Sequence, residues 1–531
     1  MSHLSNSLNS NFINSKTNLK NSVANFIEIM DTTLRDGEQT EGVAFSKNEK
    51  LAIVKKLLLD VKVNRVEITS ALVSQGEKEA CKEIFDFAKE HNLTNQIEIL
   101  GFVDYNKSVD WIDGCGGKVI NLLCKGSEQH CTNQLKKSPI DHYSDILKTI
   151  EYAKSKNFTV NAYLEDFSNG IKSNEAYVFD LINTLKKANV KRILLADTLG
   201  IFSIADVENY VSKITKKFKS IHFDFHAHND YGLAVANSLT ALNCGCKGIH
   251  TTVNGLGERT GNCGLEIIVP VIKDFTNFKI DVDEFEISSI SRLVETFSMR
   301  RISKNHPIVG QNVFTQTAGV HADGDKKGEL YISKLSAKRF GRLTTYALGK
   351  LSGKSSVEMA LKDFGIILTN SELKQVLEKV IEIGDKKQNL TKEDLLFIVD
   401  EVRNNGFEKE FQVLNYEIVS SSLNKPVAKI LVRFNNENFS ATHVGDGGYD
   451  AFINALKKTF DQKKLNFPKL LDYEVRIPIG GNTDALVETK IKWLIEDNQI
   501  ETIGISTDQL EAAIKSTEKM VNVMLKLNQT K

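Results

Sequence analysis

A closed barrel of eight βα units, followed by a smaller α+β unit, is the fold class that this sequence predicts, and three observations predict it. From Phe26 to about Lys273, short apolar runs alternate with longer segments of helical period. The runs are nearly continuously apolar, which suits strands covered on both faces and hence a parallel sheet. Eight of them fall within about 250 residues, the span that favours a (β/α)8 TIM barrel over a doubly wound open sheet.

Residues 1–25 are nearly all Ser, Asn, Leu and Lys without periodicity, so they bury too little apolar surface to order themselves and a disordered tail is expected. The tail has no arginine and no amphipathic stripe, which disfavours a transit peptide. The barrel is expected over 26–300. Its strands read Phe26 to Met30, Arg65 to Thr69, Ile97 to Val103, Val119 to Leu123, Val160 to Leu164, Ile193 to Ala196, His222 to Phe225 and Gly248 to Val253. Helical pieces such as Lys47 to Leu59, Glu77 to Glu90, His142 to Lys156, Ile204 to Lys217 and Leu233 to Asn243 lie between them. Residues 301–405 read as small, mainly helical linker subdomains, punctuated by Pro307-Ile308-Val309-Gly310 and by a loop around Gly324 to Gly328. From 406 to 531 strands such as Gln412 to Val419, Ala428 to Phe434 and Glu501 to Ser506 mix with helices at Ala451 to Phe460 and Thr507 to Leu527, which predicts the α+β unit. Gly445-Asp446-Gly447-Gly448 at a helix start suits either a cap or an anion site.

A chain of 531 residues is too long for one core. Lys plus Arg equals Asp plus Glu at 68 each, so no overall field draws the chain to nucleic acid or to an anionic membrane. No stretch approaches the roughly 18 uninterrupted apolar residues of a membrane helix, and the N-terminus lacks an apolar signal core. A cytoplasmic protein is expected. Seven cysteines without a CxxC pair supply neither a disulfide framework nor a structural zinc site. Leu348-Gly349-Lys350-Leu351-Ser352-Gly353-Lys354 lacks the spacing of a phosphate loop.

In such a barrel the functional rim lies at the C-terminal ends of the strands, and polar residues gather there. The first strand ends in Arg35 and Asp36, the second follows Glu67 with Thr69-Ser70, the fifth ends Tyr163-Leu164-Glu165-Asp166, and the sixth ends Asp197-Thr198. The seventh ends His226-Ala227-His228, and the eighth runs into Asn254-Gly255-Leu256-Gly257-Glu258-Arg259-Thr260-Gly261-Asn262. Strand residues i and i+2 face the same way, so His226 and His228 project together. With Asp36 two strands round the ring they make a mixed N/O set suited to one divalent ion, to which Asn262 could add an amide oxygen. An HxH pair alone is more often structural than metal-binding; the complementary groups on the other strand ends reverse that balance in favour of the metal.

The motifs DTTLRDGEQ from Asp31, YLED from Tyr163, DTLG from Asp197, HAHND from His226, NGLGERTGN from Asn254 and QTAGVHADG from Gln316 resemble the acetyl-CoA-dependent 2-acylmalate synthases. These stand within a wider metal-dependent barrel group that includes homocitrate synthase and hydroxymethylglutaryl-CoA lyase. VGDGGYDA from Val444 and TDALVET from Thr483 are similar to the family's amino-acid-sensing regulatory domain. The resemblance covers about Phe26 to Leu527 and is closest to the pyruvate-using, citramalate-forming branch. It implies that Asp36, His226 and His228, with Asn262 nearby, hold a zinc, manganese or magnesium ion. It further implies that Arg35 binds the keto oxygen of a 2-oxo acid and that Thr198 holds its carboxylate. Glu165, assisted by His321 and Tyr331 from the other chain of a homodimer, would manage proton removal from acetyl-CoA. Isoleucine would act as the effector, near Tyr449 and Asp450.

By the same resemblance the substrate's side chain meets Leu100, Leu123 and Tyr163. Three bulky groups leave space for a methyl but crowd an isopropyl group, which favours pyruvate over the 2-oxoisovalerate of 2-isopropylmalate synthase. No Lys or Arg stands at these positions to receive 2-oxoglutarate. Two positions depart from the family pattern: Cys263 stands where relatives often have alanine, and Ala196 where a proline is common. A retro-aldol lyase would not need the long C-terminal unit, and an amino-acid-binding protein with a dead barrel would not keep every catalytic group.

Overall fold

The computed structural model describes residues 26–316, 333–346, 348–350, 352–362, 364, 366–385, 390–403, 410–477, 486–496 and 498–529; the expected tail, the loop around Gly324 to Gly328, His321 and Tyr331 lie outside them. Eight parallel strands close into a barrel in chain order: β1 (Glu28–Asp31), β2 (Arg65–Ser70), β3 (Ile97–Phe102), β4 (Val119–Lys125), β5 (Thr159–Glu165), β6 (Arg192–Asp197), β7 (His222–Ala227) and β8 (Gly248–Thr251). The ring shuts where β1 pairs with β8, Glu28 opposite Gly248 and Asp31 opposite Thr251.

Alternation along the strands sorts the side chains. One parity, including Ile29, Val66, Ile68, Ile97, Ile99, Ile120, Ile193, Phe223 and Ile249, joins the large core shared with the helices. The other parity faces the barrel interior. At the floor it carries Glu28, Arg65, Glu98, Asn121, Asn161, Arg192 and Asp224, charges that persist there because they are paired. Arg65 bonds Glu98 at 3.2 Å, ion-pairs Glu28 at 3.0 Å and also meets Asp224. Arg192 holds Glu28 at 2.7 Å. Above this floor Met30, Leu100, Tyr163, Leu194 and Ala196 form a separate apolar cluster, with Leu123 against it.

The helices cover the outside. The first, α1 (Lys47–Lys55), starts in a capping box in which Ser46 accepts the Glu49 N–H and Glu49 accepts the Ser46 N–H. Lys56–Val61 continues it as a π-helical segment, and Lys62 at φ 63° ends it. The expected strand ends need correction at the rim. β1 stops at Asp31, because the amides of Arg35, Asp36 and Gly37 all turn back to the Thr32 carbonyl at 3.1, 2.8 and 3.1 Å. Arg35 and Asp36 therefore sit in a tight turn beyond the strand. His228 likewise lies past β7 and is tied to Asn262 by an isolated antiparallel bridge.

The chain divides into two compact units. The first runs through Phe314 and takes in Lys334–Leu343, and the second comprises the rest from Thr315. Within the first, Arg339 clamps the later segment onto the barrel by ion pairs to Asp274 at 2.9 Å and Glu284 at 2.7 Å. In the second unit, helices Lys354–Lys362, Asn370–Asp385 and Asp394–Val402 share a small core built on Val357, Leu373, Val376 and Leu395. Two three-stranded antiparallel sheets follow. The first is Phe411–Val419, Val427–Phe434 and Glu437–Val444; the second is Lys469–Arg476, Val487–Ile495 and Asn498–Ser506. Helices Gly448–Gln462 and Gln509–Gln529 join them in a core around the fully buried Trp493. No described helix is long and apolar enough to cross a membrane.

Candidate metal centre and active site

The turn after β1 and the end of β7 bring three side chains together. Asp36, His226 and His228 are buried, and one ligand atom from each lies within 4.8 Å of the others. His226 Nε2 is 3.1 Å and His228 Nε2 3.8 Å from Asp36 Oδ2, and Arg35 Nη1 is 3.0 Å from the same oxygen. These are close approaches rather than hydrogen bonds, for neither Asp36 oxygen has a partner in hydrogen-bond geometry. Asn262 Oδ1 is also buried and unpartnered, while its amide nitrogen donates to the Leu256 carbonyl at 3.1 Å. Gly257 permits that contact: its φ is +152°, and a Cβ there would stand 2.1 Å from Asn262 Nδ2.

The electrostatics agree with the geometry. Burial opposes charge on Asp36, but Arg35 and the two imidazoles outweigh it and hold the carboxyl well below the usual carboxylate range. Burial pushes His228 down to about 4 against the pull of Asp36, which leaves a neutral ring with a lone pair to give. A carboxylate, two imidazoles and a free amide oxygen, all buried, form a donor set that fits one divalent cation.

Arg35 is held from three sides. Its Nε donates to Glu67 Oε2 at 2.6 Å, its Nη2 donates to the Tyr163 hydroxyl at 3.2 Å, and Nη1 faces Asp36. Burial works against its charge, but Asp36 and Glu67 keep the guanidinium protonated. Glu67 is anchored in turn by Asn121 Nδ2 at 2.7 Å. Tyr163 belongs, with Leu100 and Leu123, to the apolar cluster just beneath. Thr198 Oγ1 accepts the Asp166 N–H at 2.9 Å, and its carbonyl accepts Arg259 Nη2 at 2.8 Å. Glu165 ends β5 ion-paired to Lys125, the last residue of β4.

Glu67, Lys125, Asp224 and His250 were given no role by the sequence. The signal for them was a charged or polar residue at every second position of strands otherwise read as apolar. In the second unit Tyr449 turns inward, its hydroxyl 2.7 Å from Thr517 Oγ1 and its ring 5.2 Å from that of Tyr473. Asp450 is exposed and accepts the Asp446 N–H at 2.9 Å at the start of helix Gly448–Gln462.

A (β/α)8 barrel with Asp, His and His gathered beside a partly buried Arg at the C-terminal rim of its strands has the architecture of a barrel enzyme. The HMGL-like family model matches residues 26–294, the post-HMGL domain-like model of homocitrate synthase 308–388, and the LeuA allosteric (dimerisation) domain 389–525. The (R)-citramalate synthase of Methanocaldococcus jannaschii is 30% identical over 94% of this chain and 99% of its own. The 2-isopropylmalate synthase of the same organism is 30% identical over 94% of this chain and 95% of its own. The chain belongs to the HMGL-like family, in the group of acetyl-CoA-dependent condensing enzymes that contains these synthases. It is an acyltransferase of the citramalate synthase type.

Proposed function

We propose that the chain condenses acetyl-CoA with pyruvate to give (R)-citramalate and CoA, as a cytoplasmic homodimer subject to feedback inhibition by isoleucine. The observation that carries this reading is the apolar cluster of Met30, Leu100, Leu123, Tyr163, Leu194 and Ala196 directly beside Arg35 and the Asp36, His226 and His228 set. Its bulky side chains suit a methyl group better than a branched one.

A divalent ion held by Asp36, His226 and His228, with Asn262 beside it, would supply the Lewis acidity that polarises the 2-oxo acid. Arg35 meets the keto oxygen and stabilises the negative charge that develops on it during attack. Thr198 holds the substrate carboxylate. Glu165 receives the proton from the acetyl-CoA methyl group, with His321 and Tyr331 of the partner subunit assisting. That step needs a positioned base because a thioester C–H is a very weak acid. The new C–C bond joins the methyl carbon to the keto carbon, and hydrolysis of the citramalyl thioester then releases CoA. The LeuA-type match over 389–525 supports a dimerising, regulatory role for the C-terminal region, with Tyr449 and Asp450 near the effector.

Turnover of 2-oxoisovalerate is the competing reading, supported by relatives named 2-isopropylmalate synthase at similar identity. An isopropyl group overfills the cluster, at a cost of about 1–3 kcal/mol or a ten- to hundredfold preference. Thiol release from acetyl-CoA, measured with each acid, is expected to give pyruvate at least a tenfold higher kcat/KM, with isoleucine rather than leucine inhibiting. Equal or better turnover of 2-oxoisovalerate assigns the chain to the other branch.

A further inference from the structure

His250, the interior residue of β8, is fully buried on both edges of its ring and has no part in the chemistry above. Its two nitrogens have different partners: Nε2 lies 3.2 Å from Asp224 Oδ2, and Nδ1 lies 3.0 Å from the Tyr163 hydroxyl. Asp224 Oδ2 also receives Arg65 Nη2, and His222 Nε2 lies 2.9 Å from its Oδ1. An oxygen that already takes a guanidinium N–H acts as an acceptor, so Nε2 carries the ring proton and Nδ1 is left as an acceptor.

That tautomer settles the direction of the next bond. Tyr163 has one hydroxyl proton and two acceptors in reach, His250 Nδ1 at 3.0 Å and Glu67 Oε2 at 3.3 Å. Glu67 Oε2 already receives Arg35 Nε at 2.6 Å, so the proton goes to the imidazole. The phenol oxygen then accepts from Arg35 Nη2 at 3.2 Å. The guanidinium plane is thereby fixed by Glu67 on one edge and Tyr163 on the other.

We propose that His250, backed by Asp224, is a positioning residue that sets the direction of the Tyr163 hydroxyl and, through it, the orientation in which Arg35 meets the substrate oxygen. The proposal rests on the role given to Arg35 above. Without the imidazole the Tyr163 proton turns to Glu67 Oε2 and competes with Arg35 Nε. A neutral hydrogen bond of this kind is worth about a factor of ten, and small losses of orientation at a reacting centre are amplified in kcat.

The test is a double-variant cycle in the full-length, metal-replete enzyme with acetyl-CoA and pyruvate. His250→Leu is expected to lower kcat about tenfold while KM for acetyl-CoA stays within about twofold. His250→Asn, which keeps an acceptor near the place of Nδ1, should recover kcat to within about threefold of the parent. In the Tyr163→Phe enzyme, which has no hydroxyl to direct, His250→Leu should cost less than about twofold. Losses that multiply in the double variant, or an Asn variant no better than Leu at equal thermal stability, overturn the proposal and leave His250 a packing residue. If the Leu variant does not fold, the same cycle is run with His250→Gln, and the same two outcomes decide. Full activity in Arg35→Lys would remove the Arg35 reading alone, because the coupling between 163 and 250 is measured independently of it.

Discussion

Asp36→Asn is expected to lower kcat/KM for the condensation by about a thousandfold or more, on the order of 4 kcal/mol of transition-state stabilisation, with the chain still folded. The substitution keeps the side chain's shape and removes its charge. In the parent, Asp36 is desolvated beside two imidazoles with both oxygens free of hydrogen bonds, an arrangement suited to a cation. Arg35 retains Glu67 at 2.6 Å when Asp36 is neutralised, so no uncompensated buried charge is created and the fold survives. Thiol release in metal-replete buffer, read together with a thermal melt, checks both halves. Full activity with an unchanged melt would remove Asp36 from the site.

Arg35→Lys is expected to lower kcat by about a hundred- to a thousandfold, the range lost with a donor to a developing oxyanion. Charge is conserved in this variant, so the loss reports geometry. A lysine ammonium is a single point donor and cannot span Glu67 Oε2, the Tyr163 hydroxyl and the Asp36 side at once, as the planar guanidinium does. The KM for acetyl-CoA should change little, since the role proposed for Arg35 is toward the 2-oxo acid rather than the thioester. Steady-state kinetics with each substrate varied in turn separate the two parameters, and equal loss through KM alone would make Arg35 a binding group only.

The barrel was legible in the sequence because its outward parity is apolar in every strand. Ile29, Val66, Ile97, Ile120, Ile193, Phe223 and Ile249 must meet helices, and a helix-covered parallel sheet leaves them no polar alternative. The inward parity was not legible. Arg65, Glu98 and Asp224 each look like one charge interrupting an apolar run, and their partners lie on other strands: Arg65 reaches Asp224 across 159 positions. Such pairing appears only when the ring closes. His250 was hidden for the same reason, its role depending on Tyr163 and Asp224, 87 and 26 positions away.

The candidate site divides in the same way. His226 and His228 could be placed side by side from their spacing, and Asp36 could be brought to them by closing β8 onto β1. The turn that presents Asp36 could not, since three amides converging on the Thr32 carbonyl leave no composition signal. Glu67, which orients Arg35, stood in plain view but had no readable partner until β1 and β2 were adjacent.

The central claim is that Asp36, His226 and His228 hold one divalent ion on which the 2-oxo acid binds. Titration of the metal-free protein with Mn2+, followed by electron paramagnetic resonance, tests it most directly. The account predicts one tightly held ion per chain in the parent, a spectrum that changes on adding pyruvate, and loss of both in Asp36→Asn. Equal Mn2+ affinity in the parent and in Asp36→Asn, with a spectrum indifferent to pyruvate in each, would contradict it.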